Sequence, residues 1–205
     1  MVARVLFWAV LVTMFACLEI EIEGKYGWAD ETQTWYRVTG FWGKLYGRAM
    51  RGRPLTGYHG FLLLLLTMII HLHFFMGVKW SIAAEFQVWA LFFVWIILFE
   101  YVWFLLNPHY RGKFNREHIW WHAKSPWVLS LFPADYLKWL AVSLAFAGAA
   151  TCFKGSAEPI NEHLRLIAGF GLFAIVLQIV APLYHYWYWY MRKRDDRNLV
   201  NRFYP

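Results

Sequence analysis

Glu100 stands inside an apolar run, and that placement is the strongest chemical signal in the chain. The run begins Ala90-Leu-Phe-Phe-Val-Trp-Ile-Ile-Leu-Phe, continues past the carboxylate as Tyr-Val-Trp-Phe-Leu-Leu to Leu106, and breaks at Asn107-Pro108-His109. At about 1.5 Å per residue, the carboxylate lies about 9 Å inside the end of a helix. A lone charge there costs several kcal/mol. Three arrangements meet that cost: a structural pair with a histidine or arginine, a metal ion, or a place in a proton relay. Past a basic loop lies His118-Ile-Trp-Trp-His122. His118 and His122 are four apart, so on a helix both imidazoles face one way. Two imidazoles and a carboxylate from another helix suit a divalent ion such as iron or zinc. Each histidine also has a plain reading. His59 can bond a neighbouring carbonyl, and His109 and His185 can be interfacial anchors like the Trp and Tyr around them.

The elements that must position these residues are membrane helices. Of 205 residues, 60% are hydrophobic, 21% aromatic and only 16% charged. That charged share is well below the roughly 25% of a soluble domain. The expected fold is an all-α integral membrane protein, one domain over 1–205, with five spans near 2–18, 58–77, 83–106, 135–153 and 164–190. Segments 24–57 and 107–134 are interfacial, the first with a short amphipathic helix near 35–50. Thr56 is the expected N-cap of the second span. Residues 2–18 resemble a signal peptide or a first membrane helix, and the retained helix is favoured because Glu19-Ile-Glu-Ile-Glu23 follows without a small-x-small site. Those three glutamates, on a fraying helix end, would spread around the circumference, so they need not share one site. Cys17 and Cys152 lie in apolar runs and read as buried thiols.

The net charge of +7 resides in short loops between apolar runs, which points to lipid headgroups and away from nucleic acid. Sixteen of the twenty Lys and Arg fall on one side of the expected spans. By the positive-inside rule that side is cytoplasmic, in an inner (plasma) membrane. His122 and Pro205 then face the cytoplasm, and Lys79 and Lys154 face outward. His59, His109, His118, His122 and His185 converge with Glu100 on the cytoplasmic interface. His59, in a helix's first turn, suits a neutral imidazole, the form that ligates. His71 and His73 lie toward the outer side and His163 at the outer surface. Two residues apart on a helix, His71 and His73 point about 200° from each other, and His163 is too superficial to pair with either, so bis-histidine haem is disfavoured; single-histidine pigment binding, as of chlorophyll, is permitted but ranks below a divalent metal. No phosphate loop, nucleophile elbow or zinc-protease pair is present, since Glu117 stands outside the His118–His122 pair.

The strings Glu19-Ile-Glu-Ile-Glu-Gly-Lys-Tyr-Gly-Trp-Ala29, Pro54-Leu-Thr-Gly-Tyr-His59, Trp103-Phe-Leu-Leu-Asn-Pro-His-Tyr110 and His118-Ile-Trp-Trp-His122 resemble those of small uncharacterised prokaryotic polytopic membrane proteins. The resemblance implies a multi-pass helical chain and no transferable activity. The functional expectation is a His/Glu site at the cytoplasmic interface. Glu100 is its catalytic group, and His59, Glu100, His109, His118, His122 and His185 are its candidate metal ligands. A bound divalent metal would serve redox or hydrolytic chemistry on a lipophilic substrate. The alternative is a non-catalytic subunit of a larger respiratory or photosynthetic membrane complex, contacting lipid, pigment, partner helices or further copies of itself.

Overall fold

A computed structural model describes residues 1–29, 32–35, 40–50, 52–110, 122–123 and 125–194. His118 therefore lies outside the described residues. The chain is helical, with α1 Val2–Glu23, α2 Phe41–Ala49, α3 Gly57–Phe75, α4 Ile82–Leu106, α5 Ala134–Lys154 and α6 Glu158–Arg194. Five of these, all but α2, are long and apolar enough to cross a membrane. The five expected spans correspond to them one for one. The first runs further than expected, to Glu23, and the last extends beyond both expected ends. At about 1.5 Å per residue α6 is about 55 Å long, so it outreaches a hydrocarbon layer of about 30 Å.

The boundaries follow from local chemistry. Thr56 caps α3 by accepting the backbone N–H of His59 (3.1 Å), as expected of its position. Ser81 caps α4 in the same way through Ala84 (3.2 Å). Gly155 ends α5 in the left-handed region, at φ 69°. Between α4 and α5 the chain forms a hairpin that the sequence does not announce. Its strands, β1 Trp127–Val128 and β2 Phe132–Pro133, pair antiparallel with Trp127 opposite Pro133. Two residues per strand are too few to show an alternating pattern.

Helix α4 is the centre of the bundle and packs against α1, α3, α5 and α6. Trp95, Val102 and Phe104 are its most buried side chains. Trp95 reaches across to donate to the carbonyl of Trp8 in α1 (3.4 Å), and Val12, Ala16 and Ile20 of α1 are fully enclosed. Helix α3 lies outermost, with Phe61, Leu64, Leu65 and Met68 exposed.

His163 corrects the sequence reading. It is buried, at 6% exposure. Ser143 Oγ of α5 gives its proton to the Ala90 carbonyl of α4 (2.7 Å) and accepts from His163 Nε2–H of α6 (2.7 Å). The polar partner makes burial tolerable, and the ring ties three helices together. The cysteines differ from expectation as well, since Cys17 is half-buried and Cys152 exposed; an apolar side chain on a membrane helix can face lipid as readily as the bundle. Toward the far end of α3, His71 lies between the Thr67 carbonyl (2.7 Å) and Glu85 (3.0 Å), and His73 faces the Ile70 carbonyl (3.0 Å). The α1–α6 contact is close at Gly169, where a Cβ would lie 2.7 Å from Val5 Cγ2. Gly169→Ala should therefore cost about 1–3 kcal/mol by overpacking, read as a lower unfolding midpoint in detergent. Gly171→Ala, where a Cβ meets nothing within 4 Å, should leave the midpoint unchanged.

Candidate metal centre

Glu19 and Glu23 are four apart at the end of α1, so they share one face. That face is buried. Glu21, between them, turns the other way to Arg192 (2.5 Å). The exit of α1 is pinned to the end of α4 by two side chains. Asn107 Nδ2 donates to the Gly24 carbonyl (2.7 Å), and Tyr110 OH donates to the Lys25 carbonyl (2.6 Å). The chain then turns through Gly24, Gly27, Trp28 and Ala29, all at positive φ. Left-handed backbone is costly for Trp and Ala. Here it aims the Ala29 N–H at Glu23 Oε1 (2.5 Å).

Opposite these carboxylates stands His59, in the first turn of α3. Its Nε2 lies 3.7 Å from Glu19 Oε1 and 3.7 Å from Glu23 Oε1. One ligand atom from each of the three residues falls within 4.8 Å of the others. Two carboxylates that close repel by about 3 kcal/mol or more at an effective dielectric near 20. A gap of 3.7 Å is too long for a hydrogen bond. It is, however, only a few tenths of an ångström wider than the edge between ligands that sit about 2.1 Å from one ion. The other ring nitrogen, Nδ1, meets Thr56 Oγ1 at 2.7 Å. Nδ1–H donating to that oxygen leaves the Nε2 lone pair facing the carboxylates, an outer-shell arrangement that orients a ligating ring. Trp28 stacks on the ring at 4.7 Å and 20°. Thr56→Val should therefore weaken metal binding about 10–100-fold through the loss of that partner, measured by metal-buffer titration, and cost about 1 kcal/mol through the lost cap.

A second group lies on the same cavity wall. Glu100 is hydrogen-bonded to His122 Nε2. Arg53 Nη2 lies 3.1 Å from His122 Nδ1, and a guanidinium has only donors. Nδ1 must then be the acceptor, so Nε2 carries the proton given to Glu100. Asp135, at the start of α5, lies 3.9 Å from Arg53 and accepts from Ser125 Oγ (2.9 Å). The hairpin holds this corner, since Trp127 Nε1 donates to the His122 carbonyl (3.2 Å). Arg53 also lies over the Trp28 ring, 5.0 Å from its centroid, so Trp28 joins the two groups. Glu19, Glu23, His59, Glu100, His122, Arg53 and Asp135 all line one cavity of about 220 Å³.

Of the expected ligands, His59, Glu100 and His122 are brought to this cavity. His59 meets Glu19 and Glu23, whereas Glu100 meets His122. His122 has a polar partner at each ring nitrogen. His185 donates to the Leu105 carbonyl (3.0 Å), and His109 packs edge-on against Trp189, so both lie outside the cavity. His109 instead borders an open cleft of about 790 Å³ with Lys25, Arg192 and Glu23. Partial burial, and then these two cations, hold its imidazole below the ordinary range. Glu23 lines both spaces. No family model, curated protein or solved structure matches the chain. The site therefore stands on its own geometry. Sequence reasoning missed Glu19 and Glu23 as ligands, although their i,i+4 spacing was available. It also missed Arg53 and Asp135.

Proposed function

We propose that the chain is a multi-pass membrane protein carrying a divalent-metal centre at the cytoplasmic end of its bundle. Glu19, Glu23 and His59 hold the ion, and Glu100 is the acid–base group beside it. The observation that carries this reading is the convergence of three buried ligand atoms within 4.8 Å, with a further, half-buried carboxylate on the same cavity. Two carboxylates and one imidazole leave positions open for water or substrate, as catalytic sites do and structural sites do not. Iron or zinc suits the donor set. A bound ion would supply Lewis acidity or redox chemistry. The protein's own residues would supply orientation through Thr56 and Trp28, and a proton at Glu100 through His122. The substrate is lipophilic, since the rest of the cavity wall is apolar.

Metal analysis of the purified protein tests this directly. About one equivalent of iron or zinc per chain, displaced by chelator and restored on addition, is the expected result. A metal-free protein that fails to reload sinks it. The alternative, a non-catalytic subunit of a larger membrane complex, draws on the exposed apolar flank of α3. It would be favoured by partners co-purifying with metal-free chain. Sidedness follows from the basic bias. In a background lacking Cys17 and Cys152, an impermeant thiol reagent added outside intact cells should label Lys79→Cys and Lys154→Cys but not Lys44→Cys. The opposite pattern would move the site to the exterior.

A further inference from the structure

Below the charged groups, the cavity continues between α3 and α4 as a hydrocarbon slot. Leu62 and Leu66 of α3 form one wall, Phe92 and Ile96 of α4 the other, and Trp139 of α5 lies along it. Leu66 is seven residues beyond His59, and Phe92 eight before Glu100. At about 1.5 Å per residue, the slot runs about 10–12 Å from the polar end toward the bundle's middle. We infer that it takes a single-chain lipid whose end carries an uncharged oxygen, such as a long-chain alcohol or aldehyde. The oxygen lies at Glu100 and the metal centre, and the tail lies between α3 and α4. The inference rests on the reading of that end as the reactive centre.

Three observations select this class. An apolar slot opening from a cluster of carboxylates fits a molecule that is polar at one end only. The volume, about 220 Å³, lies below the roughly 300–1,000 Å³ of pockets for drug-sized ligands, which leaves room for one chain rather than two. Charge decides the head. Among the described residues that line the cavity, Glu19, Glu23, Glu100 and Asp135 outnumber the guanidinium of Arg53. With the four carboxylates ionised, as ligation and the Arg53 pair favour, and both histidines neutral, one divalent ion still leaves these described groups net negative. A carboxylate or phosphate head would be repelled there. Entry runs through the bilayer past α3, the least buried of the five spans.

The test is tryptophan quenching by brominated dodecanol added to the full chain in detergent, with metal content measured on the same samples. The expected result is saturable quenching whose half-saturation rises about tenfold in Leu66→Phe, the scale of a crowded apolar site, while metal content stays unchanged. Leu62→Phe, at a less enclosed position, serves where Leu66→Phe does not fold. Quenching that never saturates overturns the inference, as does a curve that neither variant moves. Tighter binding of brominated dodecanoate than of the alcohol overturns it too. Saturable, variant-sensitive quenching in a protein without metal supports the lipid slot while removing the metal centre.

Discussion

Glu23→Gln should abolish the proposed metal binding while leaving the fold in place. The amide keeps the volume of the side chain, and its oxygen can still accept from Ala29, so the turn after α1 survives. The charge and one ligand lone pair are lost. Removing even an outer-shell partner costs about 10–100-fold in metal affinity. Losing a ligand in a set of three should exceed that, on the order of 100-fold or more. Glu21→Gln supplies the comparison, because that side chain points away to Arg192 and its loss should leave metal content untouched. Both variants would be judged by metal stoichiometry, elution volume and helical circular dichroism. Equal metal in the two would show that the glutamate face of α1 binds nothing.

The largest effect on stability is expected at Arg53. It is 6% exposed, lies against His122 and Asp135, and packs on Trp28. Arg53→Met keeps a long stem but leaves Asp135 buried beside a histidine that has lost its donor. Breaking a buried pair from one side costs up to about 3–5 kcal/mol, and the Ser125 hydroxyl that stays on Asp135 should hold the loss toward the lower end. Adding Asp135→Asn should recover part of that loss. Arg53→Lys should not fully replace the arginine, since an ammonium lacks the planar fork that spans His122 and Asp135 and stacks on an indole. Unfolding midpoints of the parent and these three variants in one detergent would decide. An Arg53→Met protein as stable as the parent would mean that Asp135 has no need of the guanidinium.

The helical bundle was legible because its five long helices are also its five long apolar runs. Five apolar runs can only be helices, and Thr56 announced the start of α3. Glu100 was legible for the same reason, since a carboxylate in such a run stands out against its surroundings. Glu19 and Glu23 were harder to read. They sit where an apolar run turns polar, a place where acidic residues are ordinary, and only the five-residue extension of α1 puts them on a buried face. Arg53 and Asp135 were hidden by position, one in a basic loop and one at a helix start, where charges need no explanation. The misplacement of His163 has a simple cause. Helix α6 begins at Glu158, six residues before the expected span, so the ring belongs to the helix and meets Ser143 instead of lying beyond its end.

The order in which the chain is made bears on the Glu19–Glu23 pair. Both glutamates leave the ribosome first. His59 follows within some tens of residues, but Glu100 and His122 emerge roughly 80 to 100 residues later, about 4 to 20 s at synthesis rates of about 5–20 residues per second. Until α3 arrives, the end of α1 holds two carboxylates with no bundle around them, and water must serve in place of His59. A chain truncated before α4 should leave the glutamates accessible from the aqueous phase.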